Sequence, residues 1–235
     1  MDLIEISRAL AGEVDALDFS PPVAYAYNPL DYAREPHEEY LRRYGAGAHD
    51  VLLVGMNPGP NGMAQTGVPF GDVVMVRDWM GIEGPVGHPP HEHPNRPIRG
   101  FACGCREASG TKLWGWARDR FGTAETFFAR FYVANYCPLL FLAEDGKNLT
   151  PDKLPAADRA PLYAACDLAL RRTIEQIAPR FAVGIGNFAT KRIQTVLPES
   201  EIIIGAIPHP SPANPQSHHG WPDQVNARLH DLGVL

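Results

Sequence analysis

No apolar run in this chain approaches the roughly 18 residues that a membrane-spanning helix requires, so no contact with a membrane is expected. Cysteine is scarce. Of Cys103, Cys105, Cys137 and Cys166, only the first two form a close pair, in "CGC". Structural zinc sites space paired ligands as C-x₂₋₄-C and need a second pair, which is missing. An iron–sulfur cluster needs four well-placed thiolates, and Cys137 and Cys166 fall in apolar segments. Excess positive charge is also missing: the formal net charge is −6, which argues against bulk binding of polyanions. There is no G-x-x-x-x-G-K-[ST] phosphate loop and no G-x-S-x-G elbow for a nucleophilic serine. Internal repeats and low-complexity tracts are absent. The N-terminal stretch "MDLIEISRALAGEVDALDF" is acidic and has no basic leader, so no signal peptide is expected and a cytoplasmic location is the default.

What is present fits one large domain over 1–235, with 45% hydrophobic residues. Four short runs are nearly continuous in apolar residues, as strands buried on both faces are: "DVLLVGM" (50–56), "FYVANY" (131–136), "FAVGIG" (181–186) and "EIIIGAI" (201–207). Helical patterns separate them. Leu3, Ile4, Leu10, Val14 and Leu17 recur at helical spacing near the N-terminus. "PHEEYLRRYG" precedes the first strand, and "TKLWGWARDRFG" and "AETFFARF" precede the second. "AADRAPLYAACDLALRRTIEQIAP" precedes the third, "NFATKRIQTVL" the fourth, and "WPDQVNARLHDLG" ends the pattern. Alternating strands and helices predict an α/β fold in three α/β/α layers around a central four-stranded parallel sheet. The Pro- and Gly-rich stretch 71–110 has one plausible helix, "DVVMVRDWMG", and a connection that long is usually functional. Residues 96–130 carry seven Lys/Arg against three acids, a local +4 in a chain that is otherwise −10. Such a stretch can grip a phosphate backbone or simply form a solvated helix face.

In open parallel sheets, ligands bind beyond the carboxyl ends of the strands. The residues expected there are Met56, Asn57, Pro58 and Gly59 after the first strand, and Asn135 at the end of the second. Gly186 and Asn187 follow the third, and "PHPSPANPQSHHGW", led by His209, follows the fourth. One site therefore gathers Asn57, Asn135 and His209: two amides, an imidazole and no carboxylate cluster. That set lacks the acid pair of most sugar hydrolases. "GIGNFA" (184–189) matches the G-x-G-x-x-A of dinucleotide folds, but the next strand ends in "AIPHP" without an acid for a ribose hydroxyl. A tight strand–helix turn is the plainer reading. "GHPPHEHPNRP" gathers His88, His91 and His93, a possible metal set or a proline-stiffened loop.

The motifs "GMNPGPNGMAQTGVPFG" (55–71) and "HPSPANPQSHHGW" (209–221), with "VRDWMGI", "NYCPLLFLA" and "NLTPDKLP", resemble the single-strand-selective monofunctional enzymes of the uracil-DNA glycosylase superfamily. The resemblance runs from "YNPLDYAREPH" to the C-terminal helix. It implies a glycosylase-like fold and hydrolysis of the N-glycosidic bond of uracil in single- and double-stranded DNA, leaving an abasic site. It also implies a monomer with no cofactor and no metal, associated with the nucleoid through DNA. The Gly/Pro-rich stretch would floor a pocket for a flipped-out base. Asn57 would orient the attacking water and His209 would stabilise charge on uracil O2. Asn135 would read uracil N3–H and O4, and Phe70 would stack on the ring. Met56 completes the pocket, with Gly59 and Met63 near uracil C5. A glycine at 59 leaves room for 5-substituted uracils such as 5-hydroxymethyluracil. Pro210, Ser211, Pro212, Ala213, Asn214, Gln216, His218 and His219 match the wedge that enters the duplex. The vertebrate pattern has an Arg at position 213 and a Lys at 219, so penetration is expected to be weaker here, with His218 and His219 as pH-sensitive substitutes. A catalytically silent binder of damaged or single-stranded DNA is the alternative.

Overall fold

The structure is a computed structural model describing residues 1–235. Its strands are β1 (Tyr25–Tyr27), β2 (Val51–Gly55), β3 (Phe131–Asn135), β4 (Leu140–Leu142), β5 (Asn148–Leu149), β6 (Phe181–Ile185) and β7 (Ile203–Ile207). The helices are α1 (Leu3–Asp15), α2 (Pro29–Tyr32), α3 (Arg34–Tyr44), α4 (Met63–Thr66), α5 (Ala108–Phe121), α6 (Ala124–Phe128), α7 (Ala156–Ile177), α8 (Asn187–Val196) and α9 (Trp221–Asp231). The four expected strands form one parallel sheet in the order β3-β2-β6-β7. Every residue of β2 and β6 is buried, which is why their sequences are continuously apolar rather than alternating.

Strand pleating sends neighbouring side chains to opposite faces, and two helical layers meet them. Phe131 stacks on Phe127 of α6 at 4.9 Å and meets Trp116 of α5 edge-on. Trp116 in turn meets Trp221 of α9, and its indole N–H donates to Asn226 Oδ1 at 2.9 Å. On the other face Tyr132 stacks on Tyr40 of α3 at 5.7 Å. There α1 packs on α7, and α8 lies between α7 and the strands β6 and β7. Helix α1 starts at a capping box, Asp2 accepting from the Glu5 amide while Glu5 accepts from that of Asp2. It buries Leu3, Ile6, Leu10, Ala11 and Val14.

Two features were not expected. A small antiparallel sheet, β1-β4-β5, pairs Tyr25–Tyr27 with Leu140–Leu142 and then with Asn148–Leu149. The helix expected within "DVVMVRDWMG" is a wide, π-type turn, Met75–Trp79, in which Met80 N–H reaches the Met75 carbonyl.

The strands β2, β3, β6 and β7 run in unstaggered register. Gly55, Asn135, Ile185 and Ile207 therefore end at one level, and the four following loops share one edge. Beyond the strands, Tyr136 N–H still reaches the Gly55 carbonyl at 3.0 Å and Cys137 N–H that of Met56 at 2.9 Å. The second loop is thus zipped to the first. Helix α5 abuts the first loop: the indole N–H of Trp114 donates to the Phe70 carbonyl at 3.0 Å. A side chain on Gly110 would overlap that carbonyl oxygen.

Two glycines of α5 give a paired prediction. Gly115 has open space at its missing side chain, so Gly115→Ala should stabilise by up to about 1 kcal/mol through helix propensity. Gly110→Ala gains the same propensity but meets backbone, and overpacking of about 1–3 kcal/mol should win. Urea denaturation midpoints should shift in opposite directions; a rise for both would show that the Phe70 carbonyl yields freely.

Candidate active site

Met56, Asn57, Gly59, Met63, Phe70, Asn135, His209, Ser211, Ala213 and Asn214 line a single open cleft of about 420 Å³ at the carboxyl edge of the sheet. Asn148 and Thr150, around the end of the small antiparallel sheet, close one side.

Asn57 sits just past β2. Its Nδ2 donates to the Leu139 carbonyl at 3.1 Å and, more weakly, to that of Pro58 at 3.4 Å. With the amide nitrogen so tied, Oδ1 is the free end, able to accept from a water but not to take its proton as a carboxylate would.

Asn135 ends β3 beside Gly55. A side chain at Gly55 would fall on Asn135 Oδ1 and on the Phe70 ring, so this strand end has to be glycine. Asn135 Nδ2 donates to the Met63 sulfur at 3.3 Å, and Oδ1 is buried with no partner. A buried acceptor left unbonded costs about 1–3 kcal/mol, and such groups are uncommon in folded proteins. Phe70 is the second anomaly: a non-glycine residue at φ 53. Its carbonyl is fixed by Asp72 N–H at 2.8 Å and by Trp114. This strained backbone sets its ring 6.1 Å from that of His209.

His209 follows β7. The amide of Ser211 donates to its Nδ1 at 3.1 Å, which puts the proton of the neutral ring on Nε2. Burial lowers its pKa from 6.5 to about 4, so near neutral pH it is an uncharged N–H donor. Gly186, at φ 88, admits it: a side chain there would come within 3.2 Å of His209 Cβ. Gly184 serves the strand–helix contact, since a side chain on it would overlap Thr190. Both glycines of the "GIGNFA" motif are thus accounted for by packing.

One residue was missed. The carboxyl of Glu107 enters the cleft. A side chain on Gly59 would meet Glu107 Oε2 at 2.6 Å, and one on Gly62 would meet its Cγ at 2.9 Å. The room at Gly59 is therefore bounded by a carboxyl group, although no cluster of acids is present. Burial pushes the pKa of Glu107 above the usual carboxylate range. Its backbone is held by Asp72, fully buried, whose Oδ1 accepts from Glu107 N–H at 3.0 Å and from Arg106 Nε at 2.8 Å. The sequence holds no signal for it, since the helical pattern begins at Thr111 and the structure starts α5 earlier, with Glu107 as its N-cap.

The loop after His209 is firmly braced. Asn214 Nδ2 donates to the His209 carbonyl at 2.8 Å, Ser217 Oγ to that of Ser211 at 2.6 Å, and Lys112 Nζ to that of Ser217 at 2.6 Å. Pro212, Ala213, Gln216, His218 and His219 are exposed. Pro210 is not part of that face: it is buried at the base of the loop. The His218 ring lies 2.7 Å from the Pro212 carbonyl and so holds the loop tip.

The basic stretch does not make one continuous face. Arg130 pairs with Asp50 at the amino edge of the sheet, opposite the cleft. Arg118 pairs with Asp119, Arg106 with Asp72, and Arg96 donates to the Gly146 carbonyl. The three histidines also diverge. His93 is buried and bonded to the Glu144 carbonyl and the Asn95 amide, while His88 pairs with Glu92. No group of three metal-capable side chains converges anywhere. All four cysteines are free.

Comparison with known proteins sets this geometry in context. The family model described as the uracil DNA glycosylase superfamily matches residues 42–233. A single-strand selective monofunctional uracil-DNA glycosylase of Rattus norvegicus is 47% identical over 234 residues, covering 99% of this chain and 84% of that protein. Its Bos taurus counterpart is 47% identical over 228 residues, covering 96% of this chain and 84% of that protein. The crystal structure of wild-type Pedobacter heparinus SMUG2 superposes with a TM-score of 0.67 at 21% identity, covering 98% of this chain and 99% of that one. At that identity the structural likeness speaks for the fold.

Acid should destabilise the fold through two histidines. Burial lowers the pKa of both His37 and His209 from 6.5 to about 4. Between those values the unfolded chain binds more protons, so stability must fall as pH drops below about 6.5 and not depend on these groups above it. The urea midpoint should decrease between pH 7 and pH 5, above most carboxylate titrations. A midpoint that stays flat over that window would contradict the burial of neutral rings.

Proposed function

The chain belongs to the uracil DNA glycosylase superfamily, and from that membership we propose that it hydrolyses the bond between uracil and deoxyribose in DNA, leaving an abasic site. The observation that carries the reading is a pair of polar atoms without protein partners on two residues that line one cleft. Asn135 Oδ1 is buried without a partner. The Nε2–H of His209 is unclaimed because Ser211 holds the other ring nitrogen.

A flipped-out uracil suits this pair. Asn135 Oδ1 accepts from N3–H while Nδ2 turns to O4 in place of its weak bond to the Met63 sulfur. Cytosine presents the opposite pattern at both positions and would leave buried groups unmatched. The Phe70 ring offers its face to the base. As the N1–C1′ bond lengthens, the electron pair withdraws into the ring and charge grows on O2. The neutral His209 N–H stabilises that charge without itself losing a proton. Asn57 Oδ1 orients the water that attacks C1′, an effect of positioning rather than of strong base catalysis. No lysine stands in either motif, so the amine that a Schiff-base lyase needs is lacking.

We further propose activity on 5-substituted uracils such as 5-hydroxymethyluracil, supported by the Gly59–Gly62 turn being faced by a hydrogen-bond acceptor, the Glu107 carboxyl, rather than by a bulky carbon side chain. Action on both single- and double-stranded DNA is proposed from the exposed, braced loop at Pro212 and Ala213. That loop is short of cations, so duplex substrates should be processed less well than single strands.

The direct test is a uracil-containing oligonucleotide incubated with the protein in EDTA and then cleaved with alkali at abasic sites. Excision is expected without added metal and without a borohydride-trapped adduct; DNA binding with no abasic product would instead favour the silent binder. His209→Ala should slow single-turnover excision by roughly 10²–10³-fold, the scale of one lost transition-state donor, with DNA affinity little changed. Weak binding with an intact chemical step would show that His209 only orders the loop.

A further inference from the structure

Glu107 has no part in the chemistry described so far, yet its carboxyl stands inside the cleft. The surrounding contacts say which edge of the base it faces, on the proposed uracil-excision reading. His209 defines the O2 side. Asn135 Nδ2, the end that turns to O4, is the atom touching the Met63 sulfur. Met63 therefore lies on the O4 side and opens α4 directly after Gly62. On the ring, C5 is the next atom past O4, away from O2. The wall beyond O4 is the Gly59–Gly62 turn, and the Glu107 side chain lies over both of those glycines.

The carboxyl is held, not free to swing. Its backbone is anchored on Asp72, and its Oε1 accepts from the Ser109 amide at 3.3 Å. Oε2 has no protein partner and is the oxygen nearest Gly59. Because neither glycine bears a side chain, nothing stands between this oxygen and the turn. A carboxylate oxygen accepts hydrogen bonds and repels negative charge.

We propose that Glu107 reads the substituent at C5: Oε2 accepts a hydrogen bond from a hydroxyl carried there and disfavours a carboxylate carried there. The inference deepens the proposed glycosylase function by naming a specificity residue and the substituents it sorts. Hydroxymethyl is favoured over hydrogen, fluorine gains nothing because it has no donor, and carboxyl is rejected.

The test measures single-turnover excision of uracil, 5-fluorouracil, 5-hydroxymethyluracil and 5-carboxyuracil from the same single strand. It compares the wild type with Glu107→Gln and Glu107→Ala. In Glu107→Ala the rate ratio of 5-hydroxymethyluracil to uracil should fall roughly tenfold, the scale of one hydrogen bond to a charged acceptor. The 5-fluorouracil to uracil ratio should stay constant in both variants. Glu107→Gln keeps the cap on Ser109 and removes only the charge, so its 5-carboxyuracil to uracil ratio should rise above that of the wild type. A gain of that kind cannot come from a loosened fold. Unchanged ratios in both variants, or a common loss on all four bases, would overturn the inference. A wild type that excises none of the bases would instead overturn the glycosylase reading on which it rests.

Discussion

The unstaggered register of the parallel sheet is the constraint on which the site depends. Because β2, β3, β6 and β7 end level, Asn57, Asn135 and His209 arrive at one edge although well over a hundred residues separate the first from the last. A slip of one residue in β3 would turn Asn135 to the opposite face. The two backbone bonds past the strand ends, Tyr136 to Gly55 and Cys137 to Met56, oppose such a slip. The core holds the register in place. Leu52, Leu53, Val133, Phe181 and Val183 are fully buried, and each would lose its packing in any other alignment.

Against this regular frame, three irregular features meet at the cleft, although a left-handed Ala178, an unpartnered His49 ring nitrogen and the buried neutral His37 lie elsewhere. A buried amide oxygen has no partner, a phenylalanine adopts a left-handed backbone, and a histidine is held neutral by desolvation. Each is unfavourable for folding taken alone. Their convergence on a single cleft fits a surface shaped for something other than its own packing, which is where local rules are expected to fail. The glycines follow the same logic. Gly55, Gly110 and Gly186 are needed because Asn135, Phe70 and His209 crowd against them.

Much of this was legible in the chain. Strands buried on both faces announce themselves as short apolar runs, and the rule that ligands meet the carboxyl ends of parallel strands brought Asn57, Asn135 and His209 together. Other parts were not legible, for physical reasons. Strands of two or three residues, as in β1, β4 and β5, are too short to show a period. The turn at Met75–Trp79 keeps a helix-like composition and differs only in hydrogen bonding. Glu107 reaches the cleft because Asp72, 35 residues earlier, binds its backbone, and no local pattern encodes such a contact. A count of charges could not decide between the two readings of the basic stretch 96–130, because the partners of Arg130 and Arg106 are Asp50 and Asp72, outside it.

Helix α5 has a consequence of its own. Near its start it meets the first motif, where Gly110 abuts the Phe70 carbonyl and Trp114 bonds it. Between those two contacts, Lys112 reaches across to the Ser217 carbonyl in the loop after His209. One turn of helix therefore serves as a strut between two segments that never touch in sequence. The loop after His209 is not a detachable module. Because Lys112 bonds a backbone carbonyl, residues 209–219 transplanted from a relative would keep this support only where the grafted backbone brings that oxygen back within reach of position 112.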